Sequence, residues 1–154
     1  MMDNLYFDSL TLFHDPALRL LYHRWRGTYN SHLFQPAVRH IQSLLEQRNV
    51  EYWIVDLNGL PNLGLEDQFW ISAEVLPQVA QLPHLRQLAL VLSSNVYNQL
   101  AAESILHLGN RHLQFEVQFF SDTASAFDWL INPTLESATP AQLLAEQASL
   151  RPVA

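Results

Sequence analysis

Cysteine is missing from this 154-residue chain. That excludes disulfides, thiolate nucleophiles and every cysteine-based zinc site. Lysine is missing as well, so all eight cationic side chains are arginines. Schiff-base chemistry and a phosphate-loop lysine are therefore impossible. Glycine occurs four times, and neither Gly59 nor Gly64 falls into a phosphate-binding pattern. No apolar run approaches the roughly 18 to 20 residues that cross a bilayer, so no membrane insertion is expected. The opening MMDNLYFDSL carries acids and no cationic segment, which does not read as a signal peptide. The expected location is cytoplasmic. A formal charge of −7 with scattered arginines argues against nucleic acid, because phosphate backbones are bound by clustered cations.

The chain is rich instead in apolar side chains. Apolar residues make up 49% and charged residues 15%, which excludes disorder and suits one domain with a real core. Residues 5–15 and 18–27 are β-rich and separated by Asp-Pro-Ala, as in an antiparallel hairpin. Gly27 ends the second run, and Asn30 or Ser31 can cap the helix after it. Phe34, Val38, Ile41 and Leu45 recur at helical spacing, so this helix is expected to reach about Arg48, with Pro36 in its first turn. Residues 51–58 and 86–93 are apolar on both alternating faces, the pattern of central strands. Between them a helix is expected over 65–82, kinked by Pro77. A capped helix is expected next, over 95–109. Residues 113–121 alternate as a strand, with Gln114, Glu116 and Gln118 outward. Asp122 then caps a short last helix.

The resulting order is β-β-α-β-α-β-α-β-α. It predicts an α/β fold with a mixed sheet of four or five strands and helices mainly on one face. Residues 1–132 form the expected domain, and 133–154 a loosely ordered tail or one short helix.

Catalytic patterns are hard to find. His107 and His112 flank a helix end, and His32 and His40 are eight apart with no carboxylate at a familiar spacing. No metal site or cofactor is expected. There is no GxSxG, and Ser93-Ser94-Asn95 reads as a strand end running into a cap. A helix start of that kind can also hold an anion. His23 alternates with Leu21 and Trp25 on one strand face and reads as a satisfied interface histidine. Trp25, Trp53, Trp70 and Trp129 suit core filling, or the walls of an apolar pocket.

Several stretches carry a family likeness: DPALRLLYHRWRG, WIVDLNGL followed by EDQFWI and Pro77, LALVLSSNVYNQL, and FEVQFFSDTASAFDWL. From about Leu5 to Leu130 the chain resembles the small bacterial SpoIIAA-like proteins, relatives of the STAS and CRAL-TRIO domains. The resemblance implies a mixed sheet with helices and a binding or regulatory role rather than catalysis. Phosphoregulated STAS domains carry an Asp-Ser-Ser-Gly-like motif after the third strand, where a serine accepts a phosphoryl group. The matching loop here, DLNGLPNLGLED, has no serine or threonine, so that switch does not carry over.

Three functions stand as expectations. The first is a non-enzymatic module contacting a protein partner, with no phosphorylatable serine. The second is a small carrier of an apolar or lipid-like ligand held between helices and sheet. The third, remote, is a hydrolase or isomerase using Asp56 with a histidine such as His23. Candidate contacts to ligand or partner are Asp56, Asn58, Gly59, Trp70, Ser93, Ser94, Asn95 and Tyr97. A homodimer is expected on the sheet face that helices leave open, through Tyr22, Trp25 and Trp53.

Overall fold

Alternating burial along short extended runs builds a single sheet. In the computed structural model, which describes residues 3–7, 10–26, 31–60, 62–109 and 113–131, six strands lie side by side in sequence order. β1 (Asp3–Phe7), β2 (Leu10–Asp15) and β3 (Leu20–Trp25) pair antiparallel. β4 (Tyr52–Asp56), β5 (Gln87–Val91) and β6 (Glu116–Phe120) continue from β3 in parallel. The fold is α/β with a mixed sheet. One detail differs from the sequence expectation: the run over 5–15 is divided into β1 and β2, which form a hairpin of their own. Asp8 and Ser9, poor strand formers, stand between them in the sequence.

The first connecting helix, α1, spans Ser31–Gln47. Pro36 lies inside it, past the first turn where the sequence reading expects it. It removes one intrahelical bond close to the helix start, and the helix continues beyond it. The next helical stretch is in three parts: α2 (Leu65–Trp70), a π-helical turn (Ile71–Val75) and α3 (Leu76–Val79). Pro77 offers no N–H to the carbonyl of Ala73, and its ring crowds that carbonyl. The turn before it widens instead of breaking. α4 (Val96–Gly109) and α5 (Thr123–Ile131) complete the chain. Both are capped as expected: Asn95 Oδ1 accepts from Asn98 N at 3.2 Å, and Asp122 Oδ1 from Ser125 N at 2.7 Å.

The two faces of the sheet are covered unequally. Leu10, Leu12, Leu21, Trp53, Leu88 and Leu90 face α1, α2, α3 and α4 in the main core. Leu20, Ile54, Ala89 and Val91 face α5, where Ala126 and Leu130 close a smaller one. α5 packs over β4, β5 and β6. It thus buries the second apolar face of the central strands, which the sequence reading assigns to an open surface. Toward β2 that face carries Thr11, Phe13 and Tyr22, all half-buried.

The expected dimer face does not form one surface. Residues 22 and 25 lie three apart on a strand, so their side chains point to opposite faces. Trp25 and Trp53 are interior, 8% and 9% exposed, under the helices. Tyr22 packs on the α5 side. Gly27, Asn30, the domain boundary at 132 and the tail over 133–154 lie outside the described residues.

Candidate functional site

The end of β4 carries the polar landmark most visible in the sequence. Asp56 is buried, and one carboxylate oxygen accepts the Tyr22 hydroxyl proton at 2.5 Å. The other accepts from the backbone N of Asn58 at 2.9 Å and from its side-chain amide at 2.8 Å. Burial, the hydrogen bond to Asp56 and that carboxylate's charge all push the Tyr22 phenol well above its ordinary pKa, with Arg24 opposing. Such a phenol stays protonated and donates; it is neither a base nor a nucleophile. Gly59 comes next in the turn with φ +86°, where a Cβ would collide with the carbonyl oxygen of Trp25. Asp56, Asn58 and Gly59 thus build a turn.

Asp56 and His23 do not meet as an acid–base pair. Asp56 lies on the α5 side of the sheet with Tyr22, whereas His23 lies on the helix-covered side. Strand alternation separates them across the sheet.

The remaining candidates gather around the start of α4. Ser93 Oγ accepts from Asn95 N at 3.1 Å, and the Asn95 amide donates to Asn62 Oδ1 at 2.8 Å. Ser94 is exposed. Tyr97 is exposed and its hydroxyl accepts from Gln68 Nε2 at 3.3 Å. These are caps and loop braces rather than an assembled anion site. Asn98, which the sequence does not single out, is buried and does more. Its Oδ1 accepts from Leu63 N at 3.0 Å and its amide donates to Leu60 O at 2.7 Å, fixing the loop after β4 against α4.

Trp70 belongs to a different arrangement. Its ring meets Phe34 edge-on at 6.4 Å, and the guanidinium of Arg39 lies 5.0 Å from its centroid. Arg39 also donates to Gln42 Oε1 and to Gln78 Oε1, each at 2.8 Å. Gln42 Nε2 donates to Gln78 Oε1 at 2.6 Å, and Gln35 to Asp67 Oδ1 at 3.2 Å. A polar strap therefore ties α1 to α2 and α3.

Beneath the strap is a cavity of about 140 Å³. Its floor is the sheet, through His23, Trp25, Trp53, Val55, Leu88 and Leu90. Its walls are aliphatic and aromatic side chains of α1, the π-helical turn, α3 and α4, among them Phe34, Ile41, Val75 and Ile105. A polar groove adjoins it, sharing Gln42 and Leu45. In the floor, Trp53 Nε1–H donates to His23 Nδ1 at 3.1 Å. Burial pulls the His23 pKa from 6.5 down to about 4 against a smaller opposing effect of Asp56. His23 is thus neutral at pH 7, with its proton on Nε2, since an indole nitrogen can only donate.

No family model matches the chain, and comparisons with curated proteins and with solved structures find no match. The arrangement therefore speaks through its own chemistry. Among the described residues no three His, Asp or Glu side chains are grouped to hold a metal ion, and no helix is long and apolar enough to cross a membrane. His112 and the side chain of His32 lie outside those residues. The groups that carry the candidate site, His23, Gln42 and Asn98, are polar side chains on the cavity lining. Only His23 could have been flagged from sequence, as a histidine between Leu21 and Trp25 on a buried strand face.

Proposed function

We propose that this chain is a non-enzymatic binding module whose cavity between sheet and helices holds a small apolar molecule. The observation that carries the reading is the 140 Å³ cavity with its apolar walls. Apolar walls left without a fitting neighbour forgo packing contacts, at a cost on the order of 1 kcal/mol or more. An occupant that fits offsets that cost. Size narrows its class, since a cavity of about 150 Å³ elsewhere accommodates benzene. A fatty chain or phospholipid is too large, so the ligand is a compact molecule of under ten heavy atoms. A cytoplasmic carrier or sensor is the role that a resemblance to the SpoIIAA-like and CRAL-TRIO group would imply, and it is part of this proposal.

The test is thermal unfolding of the full chain with and without saturating toluene. An occupied cavity raises the midpoint by mass action, and Ala102→Leu, which intrudes on the space, should abolish the rise. No rise in the unaltered protein would refute the reading.

A second reading, contact with a protein partner, is supported by Leu65 and Phe69 on α2 and Val96 and Leu100 on α4, each at least 60% exposed. Their helices adjoin through the Gln68–Tyr97 contact. A second copy of this chain is the occupant this reading favours. Sedimentation should then give a species near twice the 17.7 kDa chain mass, collapsing to monomer in Phe69→Glu.

A further inference from the structure

Five side chains on the cavity lining can form hydrogen bonds: His23, Trp25, Gln42, Trp53 and Asn98. Trp25, 8% exposed, keeps its indole N–H without a partner among the described residues, whereas Trp53, Gln42 and Asn98 are engaged. Asn98 spends its amide on Leu60 and Leu63, and Gln42 joins Arg39 and Gln78 in the strap. His23 is different. It is 3% exposed, its Nδ1 is occupied by Trp53, and its Nε2 has no hydrogen-bond partner among the described residues. A donor that faces an apolar space rather than bulk water gains from an acceptor placed in that space. A lone water is a poor answer, because buried waters typically make about three hydrogen bonds and the lining offers two free donors at most, on His23 and Trp25.

Resting on the cavity reading above, we propose that His23 selects the ligand: a compact, neutral, mostly apolar molecule with one hydrogen-bond acceptor, such as a ketone or ether oxygen, which takes the Nε2–H bond. Neutrality is dictated by the surroundings. No arginine is among the cavity-lining residues, and Arg39 is held on the strap by Gln42, Gln78 and Trp70. The Asp56 carboxylate acts on His23 through the sheet and disfavours a second negative charge there. A carboxylate ligand would lose its hydration without gaining a counter-ion. A cationic ligand would meet a donor where it needs an acceptor.

The experiment compares methylcyclohexane, cyclohexanone and cyclopentanecarboxylate, similar in size, for binding to the full chain at pH 7. The unaltered protein, His23→Leu and His23→Gln are measured in parallel, by calorimetry or by chemical-shift perturbation. His23→Leu should weaken cyclohexanone about tenfold relative to methylcyclohexane, the worth of one buried hydrogen bond. Should that variant not fold, the double variant His23→Leu/Trp53→Phe removes both partners of the internal bond together. In the unaltered protein the His23 Nε2 nitrogen resonance should shift with cyclohexanone and stay still with methylcyclohexane. If methylcyclohexane binds while the ketone's relative affinity ignores His23, the selection proposal falls and the cavity reading stands. Tighter binding of the carboxylate than of the ketone would overturn the neutral class. If no probe binds, both fall together.

Discussion

Acidification from pH 7 to pH 5 tests the burial of His23 most directly. In the unfolded chain its imidazole titrates near 6.5, and in the folded protein burial lowers that value to about 4. Between the two values the unfolded state binds more protons, so stability falls as pH falls. The contribution is whole above about 6.5, declines through the window, and is spent below about 4. At 1.36 kcal/mol per pKa unit the full loss is roughly 3 kcal/mol, of which about 2 kcal/mol is gone by pH 5. Urea unfolding at pH 7 and pH 5 measures it. With a slope of roughly 2 kcal/mol per molar urea, the midpoint of the unaltered protein should drop about 1 M further than that of His23→Gln. Glutamine can still accept from Trp53 but does not titrate, and groups common to both proteins cancel in the comparison. Asp67 is one such group: burial raises its carboxyl pKa, so its contribution has the opposite sign, present at low pH and lost as pH rises. Equal midpoint shifts in the two proteins would refute the assignment of a buried, neutral His23.

Three substitutions probe the frame around the cavity. Asn98→Ala removes both ties between α4 and the loop after β4, leaving Leu63 N and Leu60 O without that partner. Chemical unfolding should register a loss of about 2 to 4 kcal/mol, and hydrogen exchange at Leu63 should quicken. Gly59→Ala forces a Cβ onto the Trp25 carbonyl at positive φ, and a destabilisation of roughly 2 kcal/mol or more should lower the thermal midpoint by several degrees. Tyr22→Phe deprives the buried Asp56 carboxylate of its phenol donor, which should cost about 1 to 3 kcal/mol in urea unfolding at pH 7. An unchanged urea midpoint in Tyr22→Phe would remove this bond from the account.

The parts of the fold legible in the sequence are those governed by local periodicity. Residues 51–58 and 86–93, apolar on both faces, are the paired central strands β4 and β5. Asn95 and Asp122 announce the starts of α4 and α5 through side chains that bond their own helix. The division of 5–15 into two strands was not legible, because Asp8-Ser9 is as compatible with one long run as with a turn. The π-helical turn was invisible for another reason: Pro77 signals a disturbance, and tertiary packing decides whether the helix kinks or widens. Of the polar residues, the sequence draws attention to a different cluster from the one that lines the cavity. Asp56, Asn58 and Gly59 attract attention by sitting at a strand end, yet they satisfy one another. His23 and Asn98 face the cavity, and their roles depend on partners 30 and 35 residues away.

The cavity exists because of how the helix layer is held above the sheet. Trp25 on β3 stacks on Phe34 of α1 with ring centroids 5.0 Å apart, a thick spacer at one end of the helix. Val38 and Ile41, one and two turns further on, line the space beside that stack. On the far side the helical layer contains a π-helical turn, whose extra residue moves Ile71 and Val75 out of the register of a plain α-helix. Outside, Arg39, Gln42 and Gln78 fix the separation of α1 from α3 by polar contacts rather than by apolar collapse. Each device opposes the close packing expected of an interior, and together they act on one volume. Interiors collapse around space that nothing maintains. Here a spacer, a widened turn and a strap maintain it, and on its floor the buried His23 keeps its Nε2 unengaged among the described residues.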